Sequence, residues 1–143
     1  MKKYLPFLLV IFLFTGRSFA QFSLDKFLSE KLVTPDRDME LSMDKLMRTA
    51  VDAKLDKIAI KVVNAKAKSG RVAIQSIANA KLTDKEAKKL NDLLKKKLLE
   101  KFGKTSNENV VNGVKNNMWL LKDGTRYMLT YSGNMTMLLV MKK

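Results

Sequence analysis

Cysteine and histidine are both absent from the 143 residues of this chain. Without them, Ser-His-Asp and Cys-His catalysis, thiol redox chemistry, and the common zinc, haem and iron–sulfur sites are closed. No glycine-rich phosphate loop is present. Acidic residues are scarce, 14 against 28 Lys+Arg for a net charge of +14. No acid stands in a context that predicts burial, so a paired-carboxylate hydrolase has no candidate. Two Ser-x-x-Lys stretches occur, Ser23-Leu24-Asp25-Lys26 and Ser42-Met43-Asp44-Lys45. The Ser-Asp-Asn and Lys-Thr-Gly elements of acyl-transfer enzymes are missing, and Lys104-Thr105-Ser106 does not replace them. The sequence predicts no catalytic residue, no cofactor and no metal: a protein that is not an enzyme.

A long apolar run is also lacking. Tyr4–Phe14 is about half of the ~20 residues a spanning helix needs. With the basic Met1-Lys2-Lys3 before it and Ser18-Phe19-Ala20 after it, the run reads as a secretory signal peptide, 1–20, cleaved before Gln21. The expected location is therefore the periplasm or the extracellular space. The rest, 21–143, is the size of one domain. Losing Lys2, Lys3 and Arg17 with the leader lowers the charge from +14 to +11. Export without cysteine leaves stability to packing alone. The excess positive charge suits anionic lipid, polysaccharide or an acidic protein, and export argues against nucleic acid.

What is present is amphipathic patterning. Phe22, Leu24, Phe27, Leu28 and Leu32 predict a short helix within 21–33. Thr34-Pro35 followed by Asp36, Asp38 and Glu40 predicts a second helix, with Met39, Met43, Leu46, Met47, Ala50 and Ala53 on one face and the acids complementing its dipole. Over 55–80, alternating Ile58, Ile60, Val62 and then Val72, Ile74 predict a hairpin turning near Ser69-Gly70. Thr83–Phe102 is the clearest helix, with Thr83 and Glu86 as a capping box and Gly103 as its stop. Ala87, Leu90, Leu94, Leu98 and Phe102 form its apolar stripe, and lysines occupy its other side. The polar stretch 104–117 predicts a loop.

From Met118 to Met141 the chain predicts a three-strand meander turning at Asp123-Gly124 and Gly133-Asn134. Two-residue turns at both places set Trp119 opposite Met128 and Leu129 opposite Leu138. One face then collects Met118, Leu120, Tyr127, Leu129, Tyr131, Leu138 and Val140. The other collects Trp119, Leu121, Met128, Met135, Met137, Leu139 and Met141. The expected fold is one small α+β domain whose antiparallel sheet ends in this meander and packs against amphipathic helices.

Both faces are apolar, whereas an antiparallel sheet usually has one wet face. The helix at 83–102 covers the Tyr127/Leu129 side. The candidate partner or ligand face is Trp119, Met128, Met135, Met137, Leu139 and Met141, since methionine-rich surfaces repack against varied targets. Its expected occupant is a protein partner, an apolar ligand or a second copy in a homodimer. Association with an anionic envelope surface, and inhibition of or immunity to an exported enzyme, are the rival readings. Met135-x-Met137 is too weak a pattern to predict a Cu(I) site. Asn134-Met135-Thr136 is a formal glycosylation sequon on a turn already explained by its shape.

Overall fold

The computed structural model describes residues 22–39 and 42–143, apart from the side chains of Met43, Leu46 and Met47. The expected leader, 1–20, lies outside the described residues, as do Glu40 and Leu41. Seven strands form one antiparallel sheet: β1 (Val51–Leu55), β2 (Ile58–Lys66), β3 (Val72–Asn79), β4 (Asn107–Val111), β5 (Val114–Leu120), β6 (Thr125–Ser132) and β7 (Met135–Lys142). Helices α1 (Leu24–Ser29), α2 (Met43–Arg48) and α3 (Asp84–Phe102) complete the α+β fold. The strand order β1-β2-β3-β7-β6-β5-β4 joins two meanders at the β3/β7 pair, and α3 is the link between them.

The helix α3 forms as its sequence predicts. The Thr83 hydroxyl accepts from Glu86 N at 3.3 Å, and Gly103, at φ +76°, donates its N–H to Leu99 O. Ala87, Leu90, Leu94 and Leu98 are fully buried on the sheet. Burial of each leucine contributes about 1.5–3 kcal/mol. Under them lie Ile60, Ile77, Leu138, Leu129 and Tyr127, with Leu24, Phe27, Leu28 and Leu32 of the N-terminal segment beside them. The Tyr127 hydroxyl donates to Leu28 O at 3.0 Å, and its ring lies 4.5 Å from that of Phe102. Burial, aided by the charge of Asp123, pushes this phenol up to about 12.

Asn79 fixes the junction of the two meanders. Its Nδ2 donates to Lys81 O at 2.6 Å and Asn134 O at 2.9 Å, and its Oδ1 accepts from Thr136 N at 2.7 Å. Thr136 is itself buried and donates its hydroxyl to Ala87 O of α3 at 2.6 Å. The threonine of the formal sequon is thus a core residue.

The N-terminal segment changes sides. Leu32 packs in the helix-covered core, Val33 packs against the opposite face, and Val33 N donates to Val72 O as the chain passes the start of β3. The expected helix from Thr34 is not formed: 34–39 is a turn and extended chain, and α2 starts at Met43, where Lys45 N donates to Ser42 Oγ. Asp36 and Asp38 serve the β2–β3 hairpin rather than a helix dipole. Asp36 accepts from Lys68 N at 2.7 Å and Asp38 pairs with Lys68 Nζ at 2.8 Å, which holds the Asp38 carboxyl below its ordinary range. Tertiary partners outcompete local helix grammar here.

The region 55–80 is a hairpin as expected, and β1 adds a further strand through Asp56-Lys57, both at positive φ. The loop expected at 104–117 is instead the hairpin β4–β5, turning at Asn112-Gly113 with φ +51° and +77°. Such a dipeptide suits a two-residue hairpin turn that needs positive φ at both positions.

Candidate functional site

The expected register holds for β6 and β7, where Leu129 pairs with Leu138 and Met128 with Leu139. It fails for β5. Trp119 pairs with Tyr127, and Met118 with Met128. The turn has three residues, Lys122-Asp123-Gly124, not two: Leu121 N donates to Thr125 O, Gly124 N to Leu121 O, and Gly124 sits at φ +89°. Asp123 Oδ1 accepts from Thr125 N at 2.9 Å, which lowers that carboxyl's pKa. One added residue turns every β5 side chain to the opposite face.

Trp119 therefore leaves the methionine face. It is 1% exposed on the helix-covered side, and its Nε1 donates to Gly103 O at 2.9 Å, fastening the end of α3 to the sheet. Leu121, expected beside it, packs against that same core. Met118 and Leu120, expected under the helix, move the other way. The remaining predicted residues do share a face. Across β5, β6 and β7 it runs in rows: Leu120–Arg126–Met141, Met118–Met128–Leu139 and Asn116–Thr130–Met137, with Ser132–Met135 at the end.

Among the described residues, this face is only partly covered. Val33, Met39 and Ala50 pack over Val63, Ala67, Ala73 and Ile74 on the β2–β3 half, reaching Leu139 and Met141. On the other half Met118, Met128, Met135, Leu139 and Met141 are half-buried, Met137 is buried, and Leu120 is 48% exposed. Arg126 is the only ionisable side chain that β5–β7 place here, in a chain whose residues are 29% charged. Its Nε is buried, and no acceptor reaches it among the described residues.

The concavity of about 580 Å³ between the crossing segment and the β2–β3 hairpin is lined by Asp36, Asp38, Lys45 and Lys68. Both aspartates already hold Lys68, so their arrangement is that of a clasp. Both Ser-x-x-Lys stretches are helix caps, with Lys26 N on Ser23 Oγ and Lys45 N on Ser42 Oγ, each at 3.2 Å. Among the described residues no cluster of three metal-ligating His, Cys, Asp or Glu side chains exists, and no helix is long and apolar enough to cross a membrane. The chain matches no protein-family model, no curated protein and no solved structure.

Proposed function

We propose that this is an exported, non-enzymatic binding protein that docks a protein partner on the open half of its methionine face. The observation that carries the reading is the eleven-residue surface of β5, β6 and β7, apolar or neutral but for Arg126. Its thioether side chains adapt to an irregular partner without a fixed fit. Arg126 supplies polarity: a buried guanidinium nitrogen without an acceptor suits a carboxylate set within the partner's apolar patch. Lys122 and Lys143, exposed at the same end of the sheet, suit acidic groups around that patch. Trp119 takes no part in docking.

Site-directed photo-crosslinking tests this, with the probe at Met128 or, as a control, at Lys96 on the outer side of α3. The expected product is one discrete adduct from position 128 alone, persisting in 1 M salt and lost on Arg126→Glu. The same adducts from both positions, or none from 128, would refute the reading.

A second reading draws on α3, where seven lysines stand against four acids on a helix whose apolar stripe is buried. It takes the protein to an anionic envelope surface. Binding to phosphatidylglycerol vesicles that disappears as salt rises supports it, because exposed charges are screened within about 8 Å at physiological ionic strength. Salt-insensitive binding eliminates it.

A further inference from the structure

We infer that a second site, on the helix-covered side of the sheet and separate from the methionine face, takes a small, uncharged and mainly apolar molecule carrying one N–H or O–H donor. A cleft of about 450 Å³ opens between α1 and strands β1 and β2. That volume lies in the ordinary range for small-molecule sites, about 300–1,000 Å³. It arises because β1 stops at Val51, opposite Val62, while β2 runs on to Lys66, and because α1 is too short to fill the space left over.

The cleft's apolar wall is Phe22, Phe27, Val51, Ala53 and Val62, with the two phenyl rings 5.6 Å apart and tilted by 58°. Gln75 lines the same cleft from the central strand β3. In register it stands between Val140 and Asn64, on the face that otherwise forms the main core. Gln75 is 4% exposed, and no donor reaches its buried Oε1 among the described residues. An unsatisfied buried carbonyl costs about 1–3 kcal/mol. Leucine would fill this position without that cost, so the amide is placed for something other than packing. A donor on a bound molecule satisfies it, and the phenyl and valine surfaces bury the rest. At the rim, Lys26 and Glu30 offset one another and Asp52 is paired with Lys61 at 3.0 Å, so the field favours neither sign.

Indole is the probe, with 1-methylindole, which has no donor, as its match. Amide and side-chain shifts are followed by NMR in the full mature protein. Indole is expected to shift Gln75, Ala53 and Val62 and to bind at least tenfold more tightly than 1-methylindole. Gln75→Leu should abolish that preference while leaving the protein folded, and Ala53→Phe should block both probes. Equal affinity for the two probes would overturn the inference, as would shifts outside the cleft or none at millimolar indole. A Gln75→Leu variant that keeps the tenfold preference would do the same and leave water as the partner of the amide. None of these outcomes depends on the methionine face.

Discussion

The two faces of this sheet are made from the same strands and differ in which side chains they use. On the side under α3 the chain places Ile60, Ile77, Leu129, Leu138, Tyr127 and Trp119, and every one of them is buried. On the other it places Met118, Met128, Met137 and Met141 among Ala, Ser and Thr, and the described residues of the crossing segment pack on the β2–β3 half. Branched and aromatic side chains have few rotamers and reward a fixed fit; methionine tolerates many. One face is thus closed by its own helix with side chains of few rotamers, while the other carries adaptable thioethers that stay partly exposed.

The largest effects should come from the finished face. Leu94→Ala leaves a cavity under a helix that cannot collapse onto the sheet, and about 2–5 kcal/mol should be lost. Met128→Ala should cost less than about 1.5 kcal/mol, since its side chain is already partly in solvent. Urea unfolding of the two variants decides it: equal losses would erase the contrast between the faces. Asn79→Ala comes next. It removes three hydrogen bonds and leaves the Thr136 N–H buried without its partner, so about 2–4 kcal/mol should go, again read by urea midpoint.

Tyr127 sharpens the contrast through pH. Its phenol is raised from 10 to about 12 by burial, so folding favours the neutral form. The resulting stability is complete below pH 10 and is lost as the pH climbs through 12. Tyr127→Phe should cost about 1–2 kcal/mol at pH 7 through the lost bond to Leu28 O. The gap between wild type and variant should narrow above pH 10. A gap that stays constant to pH 12 would mean that the hydroxyl is not buried.

Legibility in the sequence followed the range of the forces involved. The helix α3 is written locally, in Thr83, the leucine stripe and Gly103, and it formed where those residues place it. The 55–80 hairpin and the β6–β7 register were equally local. The Thr34–Asp38 caps misled because their acids answer to Lys68, a residue on another hairpin that no nearby pattern announces. The strand β4 was missed despite Asn112-Gly113, because Asn107–Val111 is exposed at every position and carries no burial pattern. Five of the six residues expected on the partner face do share a face. Trp119 does not, and the reason is one residue of loop length.

That loop decides which face sees the tryptophan. Gly124 sits at φ +89°, where an alanine Cβ would meet nothing closer than Lys143 O at 3.8 Å. Space is no obstacle to Gly124→Ala, so the cost is backbone strain, about 1–2 kcal/mol. A slip to a two-residue turn at 123–124 would keep position 124 at positive φ, so it would relieve nothing, and it would turn Trp119 out of its pocket. Exposing a large side chain costs about 1.5–3 kcal/mol, and the bond to Gly103 O would be lost as well. The register should therefore hold, with stability reduced by about 1–2 kcal/mol and Trp119 still buried. Trp119 is the only tryptophan, so its fluorescence reports on one site. Unchanged emission in Gly124→Ala is expected; a red shift would show that loop length, rather than burial of Trp119, sets the register of β5.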